Sequence, residues 1–213
     1  MGIWPDWTSY RRFQKLPERD RNLVFYSETH QDWHHLQPLI DVLTGRLGRT
    51  VCHVTSEPRV PLPPPAPGQH VFRIRSGALC TWLFQTLRAD VMVLTMLDLH
   101  NFHLKRSLHP VHYCYVFHSM GSTHMVDHAN SYDHYDSLLC AGPHHVAEIR
   151  RREERAGLRP KELLAYGYPR LERLVAAARP PIPSQPPTVL LAPTWGPEST
   201  LNVCGEPLIA ALL

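Results

Sequence analysis

Short apolar runs recurring between longer amphipathic stretches constrain this chain more than any other feature. Leu23 to Glu28, Val51 to Thr55, Val71 to Ile74, Val91 to Leu94, Val111 to Phe117, Ser137 to Cys140 and Leu163 to Tyr166 have the length and apolar content of strands. Helical patterns lie between them. Trp33, Leu36, Leu39, Ile40 and Leu43 recur at three- and four-residue spacings, with Gly45 and Gly48 closing the pattern. Further helices are expected over Gly77 to Arg88, His144 to Ala156 and Pro169 to Ala178, the last opened by a proline suited to a first helical turn. Such alternation predicts an α/β fold, a mainly parallel sheet with helices on both faces.

Two proline-rich stretches interrupt the pattern. Pro58 to Pro67 is excluded from helix and inner strand and reads as an exposed loop. Arg179 to Pro187 reads as a semi-rigid linker, which sets a first domain at residues 1–178, a linker at 179–187 and a second domain beginning at 188. After the linker, Thr188 to Ala192 predicts a new strand, Pro193 to Gly196 a turn, and Glu206 to Leu213 the start of a helix. One strand and one helix cannot bury their faces alone, so the expectation is a two-domain protein whose second domain is truncated here.

With 213 residues and 43% hydrophobic content the chain can bury a full core. No apolar run approaches the roughly 18 residues of a membrane span, and the amino terminus has no apolar signal core, so a cytoplasmic location is expected. The net charge of +3 is spread among interspersed acids and bases, which argues against a nucleic-acid partner. Cys52, Cys80, Cys114, Cys140 and Cys204 are odd in number and widely spaced, and read as reduced core thiols.

The chemistry concentrates in His118-Ser119-Met120-Gly121-Ser122-Thr123-His124, which follows the strand-like run Val111 to Phe117. Carboxyl ends of parallel strands are where α/β sheets build ligand sites. A histidine there can move a proton, and small hydroxyl residues ahead of a helix can offer N–H and O–H groups to a phosphate. The same small residues also serve as turn formers and helix caps.

Three segments, Phe117 to Thr123, Ala165-Tyr166-Gly167-Tyr168-Pro169-Arg170-Leu171-Glu172 and Leu190-Leu191-Ala192-Pro193-Thr194-Trp195-Gly196, together resemble ordered landmarks of the CDP-glycerol glycerophosphotransferase family, the teichoic-acid primases and polymerases. The resemblance covers about residues 110 to 205. It implies the amino-terminal, acceptor-side half of a GT-B arrangement of two Rossmann-like domains. It also implies transfer of glycerol phosphate, or a related polyol or sugar phosphate, from a CDP-activated donor to a cell-envelope polymer or lipid-linked acceptor. Phe117 stands where the family usually has Trp, and Gly196 stands where the polymerases commonly have Arg.

On that resemblance His118 is the candidate catalytic base. Ser119, Gly121, Ser122, Thr123, Arg170 and Thr194 are the candidate phosphate-binding residues, and no metal or other cofactor is implied. His124 with His128, and His144 with His145, lack the three or four converging ligands of a zinc site. The arginines Arg150, Arg151, Arg152 and Arg155 interleave with Glu148, Glu153 and Glu154, which predicts a solvated helix face. Trp4, Trp7, Tyr10, Arg11, Arg12, Phe13 and Lys15 carry the mix of an interfacial segment, so peripheral contact with the inner membrane face is one expectation and cover for a sheet edge the other. Two further readings stand beside the transferase: a nucleotide-sugar glycosyltransferase or epimerase-like enzyme of the same fold, and a nonenzymatic binding module or inactive fragment.

Overall fold

The computed structural model describes residues 4–58, 65–102, 104–179, 189–193 and 196–212. The chain divides into two compact units, Met1–Ala177 and Ala178–Leu213. In the first, seven strands form one sheet: β1 (Leu23–Ser27), β2 (Val51–Thr55), β3 (Gln69–Arg73), β4 (Val91–Leu94), β5 (His112–Val116), β6 (Ser137–Cys140) and β7 (Glu162–Ala165). Their spatial order is β3-β2-β1-β4-β5-β6-β7 and every pairing is parallel. The chain winds outward from β1 in one direction and from β4 in the other, so the order reverses between them. That reversal opens a crevice at the strands' carboxyl ends, and the order is Rossmann-like.

Parallel strands covered on both faces read as unbroken apolar runs. Every residue of β2 and β6 is buried, and alternate residues of β1 serve opposite layers. Val24 and Tyr26 pack with Phe13, Leu83 and Phe84, whereas Phe25 packs with Leu36 and Ile40. The helices are α1 (Trp4–Gln14), α2 (His30–Asp41, continued by a π-helical turn at Val42–Arg46), α3 (Ala78–Thr86), α4 (Thr123–Val126), α5 (Pro143–Ala156) and α6 (Pro169–Ala177).

Local chemistry fixes where α2 begins. The Asp32 carboxylate accepts from the backbone N–H groups of Glu28 (3.0 Å) and Thr29 (2.8 Å), satisfying donors left over at the helix entry. Pro38 inside α2 brings no N–H, which releases the carbonyl of His34 from its helical partner. The Arg173 guanidinium of α6 donates to that carbonyl at 3.4 Å and ties α6 to α2.

The amino-terminal aromatics are largely spent on the sheet edge. α1 lies against β3, Phe13 is fully buried edge-on to Phe72 (ring centroids 5.5 Å), and Asp6 pairs with Arg75 at 2.7 Å. Trp7 remains exposed and stacks on Tyr10. The geometry therefore realises the sheet-edge role of this segment. Among the described residues no helix is long and apolar enough to cross a membrane.

Several sequence expectations need correction. β3 begins two residues earlier than Val71, because Gln69 and His70 pair with Val51 and Cys52 despite their polarity. Residues 189–193 form no strand among the described residues, and Leu190 is 87% exposed. Thr188 and nearly all of the expected linker lie outside the described residues. α7 (Thr200–Leu212) starts earlier than expected and breaks at Cys204, three residues before Pro207. Cys204 is exposed, unlike the four buried cysteines of the sheet unit.

The solvated-face reading of α5 holds for Arg151, Glu154 and Arg155, which are exposed, and fails for Glu148, Arg152 and Glu153. Glu153 is buried with Lys161, Arg152 pairs with Asp133 at 2.7 Å, and Glu148 accepts hydrogen bonds from the β5–α4 segment. Each of these partners lies outside α5, so helical spacing alone does not reveal it.

His53 makes the sheet unit acid-sensitive. Its ring is buried in β2, stacked on Trp33 (4.6 Å), with Nε2 2.8 Å from Ser27 Oγ and no partner for Nδ1 among the described residues. Burial lowers its pKa from 6.5 to about 4. In that window the unfolded chain takes up a proton that the folded one refuses, so stability is full above pH 6.5 and falls as the pH drops towards 4. For this group alone the loss is about 3 kcal/mol. Urea denaturation at a series of pH values is expected to show that decline, and His53→Gln to flatten it.

Candidate functional site

The β5 strand ends at Val116, and buried Phe117 extends it by one backbone hydrogen bond to Leu139 before the chain leaves the sheet. His118 is the first half-buried residue beyond. Tyr115 Oη lies 3.0 Å from His118 Nδ1, and the Tyr168 hydroxyl donates to the His118 carbonyl at 3.0 Å. His35 of α2 completes the group, with ring centroids 6.0 Å from His118 and 5.8 Å from Tyr168. Burial lowers the pKa of His35, and the neighbouring His118 and Arg170 push it the same way. Nε2 of His118 has no hydrogen-bond partner among the described residues.

Tyr168 reaches this group because the β7–α6 turn is tight. Gly167 takes φ +82°, a left-handed conformation, and a Cβ there would sit 2.6 Å from Glu172 Oε1. Pro169 then opens α6, with Arg170 exposed at its first turn.

Two histidines of α5 hold the loop after His118. His144 Nε2 donates to the Met120 carbonyl at 3.0 Å, and His145 Nε2 donates to the Gly121 carbonyl at 2.9 Å. His145 Nδ1 accepts from the Ala141 N–H, and its ring stacks on Phe117 with centroids 3.8 Å apart. A ring that donates at one nitrogen and accepts at the other is neutral, and burial accordingly lowers its pKa. Among the described residues no three histidine, cysteine or carboxylate side chains gather as a metal site would require.

The predicted phosphate cradle is divided. Ser119 Oγ accepts from the Gly121 N–H at 3.1 Å, which leaves the Ser119 hydroxyl proton exposed at the loop tip. Ser122 and Thr123 face inward to Glu148. Ser122 Oγ donates to Oε1 at 2.5 Å, and both the N–H and the hydroxyl of Thr123 donate to Oε2 at 2.8 Å. An internal carboxylate thus takes the donors that the sequence offers to a phosphate. Burial alone raises the Glu148 carboxyl, but the donors from Ser122 and Thr123, with His124 nearby, outweigh it and hold the pKa at about 2. Its stabilising contribution is present above pH 4.5 and is lost as the pH falls towards 2. Glu148→Ala is expected to cost about 2 kcal/mol in urea denaturation at neutral pH, because three donors lose a charged acceptor. Thr194 lies outside the described residues.

The sequence singles out His118 but not the residues the structure gathers around it and its loop, Tyr115, Tyr168, His35 and Glu148. Tyr168 stands inside the Gly-Tyr-Pro-Arg segment, where attention falls on the arginine; a phenol beside a tight turn was the available signal. Nothing local marks Glu148, whose partners are 25 and 26 residues away.

Fold and site define an α/β protein with a seven-stranded parallel sheet and a histidine–tyrosine cluster at the carboxyl end of β5. Comparison of the chain with family models, with curated proteins and with solved structures finds no match.

Proposed function

We propose that this chain provides the acceptor side of a GT-B transferase that moves glycerol phosphate, or a related polyol or sugar phosphate, from a CDP-activated donor to a cell-envelope polymer or its lipid-linked primer. The observation that carries the reading is His118. It stands on a strand-end loop, is held through Nδ1 and its carbonyl, and has a second ring nitrogen without a partner among the described residues. The order of the three motif segments supports the donor class.

In this reading the acceptor hydroxyl gives its proton to His118 Nε2 as its oxygen attacks the β-phosphorus of the donor. The new O–P bond forms, the bridging bond to the α-phosphate breaks, and CMP leaves. Arg170 and the free hydroxyl of Ser119 are the groups available to the phosphate oxygens as charge develops. Ser122 and Thr123 position the loop through Glu148.

The test supplies crude envelope membranes as acceptor and compares CDP-glycerol with a UDP-hexose as donor. It uses this chain and the longest reading frame that contains it. CMP release supports the proposal. UDP release without CMP release replaces it with the nucleotide-sugar reading, and silence with both donors favours a nonenzymatic module.

A further inference from the structure

Two arginines of α5 are left over once the helix has made its ion pairs. Arg150 is held by Glu153 and Arg152 by Asp133, but neither Arg151 nor Arg155 pairs with a carboxylate among the described residues. Four residues apart, they stand one turn from each other on the same helix face. Both line a cavity of about 370 Å³, bounded by α5 and by the segment that runs from α4 to Tyr132. That volume is in the range that small ligands occupy.

The cavity joins apolar surface to positive charge. Ile149 and Tyr132 line it and are buried, and the Tyr132 hydroxyl is committed to Asp127 at 2.5 Å, so its ring supplies apolar surface. Among the described residues Glu148 is the one carboxylate of the lining, and its oxygens already accept from Ser122 and Thr123. His124 and His128 also line the cavity, 3.5 Å from Glu148 and 3.3 Å from Asp98. Three arginines against Glu148 and the Asp133 that pairs with Arg152 leave the wall with an excess of positive charge.

We propose that this cavity binds a small phosphate monoester, with the phosphate on Arg151 and Arg155 and an apolar body against Ile149 and Tyr132. A phosphate monoester carries close to two negative charges at neutral pH, and its planar faces of oxygens suit two guanidinium forks better than one carboxylate does. Bidentate contacts of this kind are among the strongest that an exposed arginine makes. Arg155 also lies in the last turn of α5, where a cation suits the negative end of the helix without any ligand. Binding data separate the two roles. The site lies outside the His118 group and does not rest on the transfer reaction.

Phenyl phosphate is the probe, because it joins a dianion to an apolar ring. It is titrated at neutral pH into the 15N-labelled full chain, and binding is read from the amide signals of α5 and of residues 123–132. Saturable binding with a Kd of about 1 mM or tighter is expected, and benzyl alcohol, which lacks the charge, is expected to leave these signals in place. Arg151→Gln and Arg155→Gln should each weaken binding at least about tenfold, as the loss of a charge-assisted bond requires. Arg159→Gln removes the same charge from an exposed arginine outside the cavity, and should change Kd by less than about twofold because solvent screens it. Vesicles of phosphatidylcholine with phosphatidic acid offer the same monoester on a lipid. Sedimentation of wild type but not of Arg151→Gln identifies a lipid headgroup as the ligand, phenyl phosphate binding without sedimentation identifies a free ester, and either supports the site.

No saturation by about 10 mM phenyl phosphate overturns the proposal. Equal weakening by Arg159→Gln also overturns it, as the mark of diffuse attraction to net charge. So does binding that survives both cavity variants and is lost in Arg170→Ala, which puts the anion at the start of α6. Cavity variants that lose stability but keep the affinity assign the arginines to the helix end alone, and overturn it as well.

Discussion

Glu153→Ala is expected to destabilise the sheet unit by about 3–5 kcal/mol, the range for removing one partner of a buried ion pair. Glu153 and Lys161 are 4% and 7% exposed. The carboxylate accepts from Arg150 Nη1 at 2.6 Å and from the Lys161 N–H at 2.8 Å, and lies 3.8 Å from Lys161 Nζ. Arg150 also donates to the Lys161 carbonyl at 3.0 Å. Together these bonds fasten the last turns of α5 to the entry of β7. Removing the carboxylate leaves a buried ammonium and a buried N–H without their acceptor, and neither can recover water without opening the turn. Urea denaturation at neutral pH measures the cost. Glu154→Ala, one residue on and exposed, is the control and is expected to stay within about 0.5 kcal/mol of wild type. A loss below about 1 kcal/mol in Glu153→Ala would contradict the buried-pair account.

That ion pair also shows which parts of the structure the sequence reveals. β2, β4 and β6 have the bounds expected of them, because central parallel strands are apolar on both faces and leave unbroken runs. The edge strand β3 is less legible at its start: its Gln69 and His70 are held by backbone pairing, which side-chain character does not report. The segment at 189–193 has strand-like residues and no strand partner among the described residues, and apolar content without a neighbouring strand does not make a sheet. At the candidate site, strand-end logic leads to His118. The groups that orient it come from Tyr115 three residues earlier, Tyr168 fifty residues later and His35 on α2, contacts that only the topology assembles. Glu148 and Glu153 look like members of a charged helical face, and their roles depend on partners beyond the helix.

The second large effect is catalytic. In a protein active as proposed, His118→Ala is expected to lower CMP release at least about a hundredfold, in the range for losing a general base and equivalent to about 2.7 kcal/mol of barrier. The substitution leaves Phe117, His144 and His145 in place, so the loop retains the bonds to the Met120 and Gly121 carbonyls that anchor it. The expected loss therefore falls on kcat, with a smaller change in KM for the donor. On the same proposal Arg170→Ala should behave differently: losing a guanidinium that holds phosphate in both ground and transition states would raise KM as well. Equal rates for wild type and His118→Ala, with circular dichroism showing both folded, would remove His118 from the chemistry.

The most direct test of the central claim follows the transferred group itself. CDP-glycerol labelled in its glycerol is incubated with the protein and envelope membranes, and label in acid-insoluble polymer is counted against CMP released. The account predicts one glycerol phosphate incorporated per CMP, and no incorporation above background with His118→Ala. CMP release without incorporation, or incorporation that survives the substitution, would contradict it.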